Sequence, residues 1–352
     1  MTWAPLLLAD PSPVLRLRVL RDLLHRPADD AEVRELTGLS ASDPLLARLL
    51  ADQQPDGSWR RGLQDDTSAS TPVLATALAL MRLGYLGLDS SHGAVQRGAE
   101  YLFSQQRADG AWALGDTREE GAGKEGYAMM PVQTALPLRG LSACGYASDP
   151  RAERAYAWLL AQRLEDGAWP TGIAASGVNG YVAGYRKMPH SRWGCRANTT
   201  AALVCLALHP ERRRGAEARR ALDLLLGRET REEYPLGFEV ARMIGAEPSH
   251  GFLTFYARFD LALLLDLCAR VGVSREDERA AELVDFVRGL QGPYGLWEYA
   301  PRPQATRWLT FDLLRSLAAL ETGEGGREGG EKWISLEPRT PFQTYPRKQK
   351  RY

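Results

Sequence analysis

One element recurs along this chain and limits what it can fold into. LADQQPDGSW at residues 50–59 returns as LFSQQRADGAW at 102–112, as LLAQRLEDGAW at 159–169 and as VRGLQGPYGLW at 287–297. Each copy is a helix-like run that ends in Gln, a turn containing Gly, and then Trp. A spacing of about 50–60 residues is that of a repeat architecture. The gap between the third and fourth copies is about twice that spacing. It holds a degenerate copy, LDLLLGRETREEYPLGFE at 222–239, where Tyr234 and Phe238 stand in the place of Trp.

After each Trp a second run begins: 71–87, 130–146, 196–210, 259–273 and 307–321. These runs carry apolar residues at i, i+3, i+4 and i+7, several of them nearly all round, which predicts helices buried on most sides. The runs that precede each Gln are amphipathic; RAERAYAWLLAQRLED at 151–166 keeps its charges on one face. No convincing strand pair is present. With the N-terminal helix PVLRLRVLRDLLHR at 13–26 and the segment around PLLARLLADQ at 44–53, the pattern predicts an all-α fold of about eleven or twelve helices in two layers. Five or six hairpins of this kind close most simply into a ring, an α/α toroid spanning residues 1–321, with the buried helices inside. The Gln caps backbone groups where an outer helix ends. The Trp covers the next helix and donates its indole N–H. In this role both are structural. Residues 322–352 read as a Gly-rich loop, ETGEGGREGGEKW, and a tail with a basic end.

Composition limits the function classes. The 352 residues are 44% hydrophobic and 25% charged, and 44 basic residues balance 44 acidic ones. Neutrality removes the long-range field that nucleic acid or an anionic membrane would need. No apolar run approaches the roughly 20 residues of a transmembrane helix. MTWAPLLLADPSP lacks basic residues before its apolar stretch, unlike a signal peptide. Cys144, Cys195, Cys205 and Cys268 show no short paired spacing. The expected compartment is the reducing cytoplasm.

The Gln…Asp-Gly…Trp copies resemble the QW motifs of the terpene-cyclase and protein-prenyltransferase superfamily over roughly residues 43–321, although the fourth copy lacks the Asp. The whole chain, with PSPVLRLRVLRDLLHRPADDAEV near its start, more closely resembles bacterial single-toroid proteins with prenyltransferase/squalene oxidase repeats. The resemblance implies the α/α toroid. It also implies chemistry at the mouth where the N-terminal ends of the inner helices meet.

Three groups of residues fall at that mouth. Asp65-Asp66-Thr67 resembles the Asp-any-Asp-Asp-Thr acid motif of class II terpene cyclases, in which a protonated aspartic acid protonates an alkene or epoxide. Leu63 stands where that motif has its first Asp. Asp65 and Asp66 are the catalytic candidates, and a helix N-cap is the competing role. His190, Cys195 and His250, with Asp66, form a candidate zinc set of the kind implied by the prenyltransferases, whose local Asp-any-Cys motif this sequence lacks. Magnesium is the other metal considered, for a diphosphate. Arg186, Lys187, Arg192 and Arg196 lie within eleven residues of one another. With Arg258 they suit a diphosphate head; a solvated loop is the other reading. Trp193, Tyr256 and Trp308, with Phe255, Phe259 and Phe311, wall an apolar pocket or belong to the core.

The expected function is therefore an isoprenoid-handling protein, cyclase-like or prenyltransferase-like. Its central cavity would hold an apolar chain, with the head group, a prenyl diphosphate for example, at the mouth. A non-catalytic binding or scaffold toroid is the alternative. A carbohydrate-active (α/α) barrel would need two facing carboxylates, and Asp65 or Asp66 with Asp260 is the only pair to nominate.

Overall fold

The computed structural model describes residues 3–60, 71–113, 130–170, 173–174, 177–178, 188, 191, 193–227, 235–247, 260–273 and 275–322. Ten helices alternate between two layers. The outer ones are α4 (Pro44–Ala51), α6 (Gly93–Ser104), α8 (Pro150–Ala161), α10 (Ala216–Leu226) and α13 (Glu278–Gly289). The inner ones are α5 (Pro72–Tyr85), α7 (Pro131–Ala143), α9 (Arg196–Leu208), α12 (Leu261–Val271) and α14 (Thr306–Thr322). Helices α1 (Trp3–Leu8), α2 (Pro13–Arg18) and α3 (Ala31–Ser40) precede the repeats, and a short α11 (Phe238–Met243) interrupts them. The described residues thus hold fourteen α-helices, somewhat more than the repeat alone predicts. They also hold one two-residue antiparallel hairpin, Ile173–Ala174 with Gly177–Val178, which the sequence did not announce.

Local sequence explains the helix starts. Asp43-Pro44, Thr71-Pro72 and Asp149-Pro150 pair a capping side chain with a proline at the first helical position. The cap accepts an N–H that has no helical partner, and proline has none to offer. Burial separates the layers. Every residue from Val73 to Leu83 of α5 is buried, whereas α8 buries Ala152, Ala155, Tyr156 and Leu159 on a single face. The second pattern is the i, i+3, i+4, i+7 stripe of a helix with water on its far side.

Around the inner layer α5 packs on α7, α7 on α9, α9 on α12 and α12 on α14. The circuit returns to α5 through Tyr85, whose hydroxyl donates to Asp312 of α14 at 2.9 Å and whose ring lies 5.6 Å from that of Trp308. Small residues let the inner helices approach closely. A Cβ on Gly140 of α7 would lie 2.7 Å from the carbonyl oxygen of Ala77 on α5. Nearby, the Cys144 Sγ donates to the Leu80 carbonyl, and the Cys205 Sγ donates to that of Ala135. Burial pushes both thiols up to about 12, so they act as small packing groups and not as nucleophiles.

The repeat motif proves to be a staple. The indole N–H of Trp59, Trp112, Trp169 and Trp297 donates in turn to the carbonyl of Leu49, Leu102, Leu159 and Val287, ten residues back in its own outer helix. The same four backbone N–H groups donate to Thr76, Thr134, Thr199 and Thr310 on the following inner helices. Gln53 and Gln106 each donate to the carbonyl of the turn glycine and to the first turn of the next outer helix, at Ala94 and Arg151. In the third copy Arg163 occupies that Gln position, and Arg220 of α10 reaches back to the Asp166 carbonyl at 2.9 Å.

The degenerate copy differs from its expectation. Tyr234 lies outside the described residues, and Phe238 does not repeat the Trp role but opens α11. The Leu261 N–H donates to the Pro235 carbonyl, which ties the start of α12 to the segment that precedes α11. Helix α11 is therefore an insertion between turn and inner helix. It packs against α5, α12 and α14, inside the ring.

Candidate functional site

Asp65, Asp66, Arg186, His190, Arg192, His250, Tyr256 and Arg258 lie outside the described residues, as do Lys187, Phe255 and Phe259. Cys195 is fully buried at the N-cap of α9. Among the described residues no group of three or more His, Cys, Asp or Glu could hold a metal. Arg196 opens α9 half-buried, and Trp193 beside it is 40% exposed. Phe311 is core, with the Arg18 and Arg315 guanidiniums 4.7 and 5.6 Å from its ring centroid. Trp308 is buried against Tyr85 and lines a cleft described below.

Asp260 corrects the carbohydrate reading. Its two carboxylate oxygens accept from four backbone N–H groups, those of Gly237, Glu239, Ala262 and Leu263. It caps α12 and anchors α11, so it has no face left for a sugar. Burial first, and then the charge of Glu239, push its carboxyl up to about 6. The sign follows from linkage: a carboxyl that holds its proton more tightly when folded stabilises the fold fully below about pH 4 and loses that contribution as pH rises through about 6. The stability difference between wild type and Asp260→Asn should therefore shift by about 2–3 kcal/mol between pH 4 and 7, against the wild type at the higher pH. A difference that is flat across this range in urea titrations would show that the carboxyl does not titrate there.

The centre of the ring is a charged network. Arg139 of α7 meets Glu239 of α11 at 2.5 Å, and Arg242 reaches the same carboxylate at 3.0 Å. Arg270 and Arg315 both hold Asp266, and Arg315 also approaches Asp312. Burial works against the charge of Glu239 and of Asp266, yet the flanking guanidiniums keep both below the ordinary carboxylate range. Burial dominates at Asp312 and pushes it up, against the Arg315 and Arg18 guanidiniums and the Tyr85 hydroxyl that donates to it. Most of these groups line a cavity of about 280 Å³, together with the last turns of α5, α7 and α9. Ligand pockets run from about 300 to 1,000 Å³. With α11 and these ion pairs inside it, this part of the ring is not the apolar chamber expected.

Sequence reasoning missed these residues. A signal was available: Arg82, Arg139, Asp266 and Asp312 are charges set in runs that are otherwise apolar and buried. Such charges are rare inside proteins unless paired.

The larger cavity, about 820 Å³, opens where the last hairpin, α13 and α14, meets the first, α4 and α5. Leu45, Ile244, Leu296, Tyr299, Pro303 and Trp308 form much of its wall. Polar groups gather at its ends. Asp43 is fully buried and accepts from the Ser12 hydroxyl and the Leu45 N–H, and Asp10 accepts from Arg307. Arg82 and Arg48 project from α5 and α4.

Part of the chain is similar to known proteins. Residues 36–183 match the squalene-hopene cyclase C-terminal domain. The squalene–hopene cyclase of Zymomonas mobilis is 30% identical over 162 residues, which are 42% of this chain and 23% of that protein. A probable squalene–hopene cyclase of Sinorhizobium fredii is 31% identical over 162 residues, 42% of this chain and 24% of its own. The chain thus spans about a quarter of the length of the curated relatives it matches. Among solved structures, the apo type II terpene cyclase MstE from Scytonema is 17% identical with a TM-score of 0.35, covering 79% of this chain and 97% of that one. A protein from Actinoplanes is also 17% identical, with a TM-score of 0.33 over the same shares. Over residues 36–183 the chain is thus similar to the squalene-hopene cyclase C-terminal domain.

Proposed function

We propose that this protein binds an isoprenoid chain and that the cleft between the first and last hairpins is where it does so. One observation supports this most: the cleft is the larger of the two cavities described, it lies within the size range of ligand sites, and its walls are mainly apolar and aromatic. Squalene, for which the curated relatives are named, is an isoprenoid hydrocarbon, and an apolar wall is what such a chain requires. Trp308 and Tyr299 offer faces on which unsaturated or cationic carbon can rest. Terpene cyclase-like turnover would need a proton donor as well, and Asp65 and Asp66 remain the candidates from sequence; the raised carboxyl of Asp312 lines the smaller cavity and not this cleft.

The test uses an uncharged chain. Geranylgeraniol titrated into the protein should bind saturably. Leu45→Asp, which sets a charge on the apolar wall, should weaken it by about tenfold or more. Failure of the wild type to bind would overturn the proposal. Incubation with squalene or a prenyl diphosphate, followed by mass spectrometry for cyclised products, separates an enzyme from a binding protein.

A further inference from the structure

We propose that the inner end of the cleft is an oxyanion site, in which Arg82 and Arg48 receive the anionic head of the amphiphile. This deepens the isoprenoid reading and rests on it for the identity of the ligand's apolar body.

The inference starts from Arg82. It stands in the middle of the apolar α5 and is 7% exposed. Its Nε donates to the Met243 carbonyl at 2.9 Å. Its two terminal nitrogens have no hydrogen-bond acceptor among the described residues, although they belong to a side chain that lines the cleft. Other buried guanidiniums in the protein have carboxylates: Arg279 has Asp277 and Asp223, Arg315 has Asp266 and Asp312, and Arg139 has Glu239. Arg82 has none within ion-pair distance among the described residues. A guanidinium offers five N–H donors and is costly to bury unmatched.

Its neighbour deepens the mismatch. Arg48 is exposed on α4, lines the same cleft and has no ion-pair partner among the described residues. Burial first, and then the like charge of Arg48, lower the Arg82 pKa to about 10, with Asp52 at the end of α4 opposing the shift. Two cations facing one cavity are relieved by an anion between them. Of the acids nearby, Asp43 is committed to its caps and Asp10 to Arg307, and the exposed Asp52 acts on Arg82 only from beyond ion-pair distance. Glu298 lines the cleft too, but it is exposed. The backbone also makes room. Gly245 has φ +75°, and a Cβ there would lie 2.4 Å from Nη2 of Arg82. The free edge of a guanidinium suits carboxylate or phosphate oxygens bidentately.

Calorimetry on the full chain tests this with four probes: inorganic pyrophosphate, geranylgeranyl diphosphate, geranylgeranoic acid and geranylgeraniol. At least one of the two anionic prenyl probes should bind about 10- to 100-fold more tightly than the alcohol, the range for charged hydrogen bonds. The tighter of the two names the head as diphosphate or carboxylate. In Arg82→Gln that preference should collapse towards one. Arg48→Gln, at an exposed position that leaves the Met243 bond intact, should reduce it severalfold and serves if the first variant does not fold. Equal affinities for alcohol and anions in the wild type would overturn the oxyanion site while leaving the isoprenoid reading standing. Arg82-dependent binding of pyrophosphate without binding of any prenyl probe would support the site and overturn that reading. Silence from all four probes would overturn both.

Discussion

Trp112→Ala is expected to lower the stability of this protein by about 3–5 kcal/mol in urea titrations, the range for deleting a large buried aromatic. Trp112 is fully buried, lies 6.5 Å from the Phe103 ring and ties three segments together. Its indole N–H holds the Leu102 carbonyl at the end of α6, and its backbone N–H holds Thr134 of α7. Alanine leaves a cavity at a hairpin joint and an unpaired carbonyl beside it. Trp112→Phe separates the two effects. It restores much of the volume, yet still orphans the Leu102 carbonyl, and should cost about 1–3 kcal/mol. Because the staple recurs at Trp59, Trp169 and Trp297, losses of similar size are expected there. Unchanged melting midpoints in the alanine series would show that the hairpins hold together without their indoles.

The second large effect is expected at the ring centre. Glu239→Leu should destabilise by about 3–5 kcal/mol, the cost of removing one partner from a buried ion pair. It deprives Arg139, on another inner helix, of its carboxylate, and it takes from Arg242 the same partner. The double variant Arg139→Met with Glu239→Leu replaces the pair by apolar groups of comparable size. It should be less destabilised than the sum of the two single changes, because neither charge is then left behind. Simple additivity in a double-mutant cycle would show that the pair is not coupled and that α11 is held inside the ring by its other contacts, the Asp260 and Arg82 hydrogen bonds among them.

These two sites differ in how far they could be read from sequence. The staple is local: each indole meets a carbonyl ten residues back. Its turn glycine, its Trp and its helical periodicities therefore all sit in one window, and repetition at a regular spacing made the alternating layers, the inner and outer faces and the structural role of Trp legible. Substitutions within the motif were legible only in part. Arg163 stands where Gln is expected, and the compensating Arg220 comes from the next outer helix.

The candidate site is another matter. Sequence pointed to the starts of the inner helices. Of the residues proposed there, the structure describes Trp193, Cys195, Arg196, Asp260, Trp308 and Phe311, and it places only Trp308 on the large cleft. What makes the cleft and the charged centre is contact between distant segments. Tyr85 and Asp312 are 227 residues apart, and Arg82 and the Met243 carbonyl are 161 apart. Charges at positions 82, 139, 239, 266 and 312 were visible along the chain, but no local pattern says which pair and which remains unmatched. Hydrophobic periodicity specifies which face of a helix is buried, and by itself it settled that this chain builds two layers of hairpins. Closing the ring decided the rest, because only closure brings α11 into the centre, pairs Arg139 with Glu239 and leaves the Arg82 guanidinium facing a cavity with no carboxylate against it among the described residues.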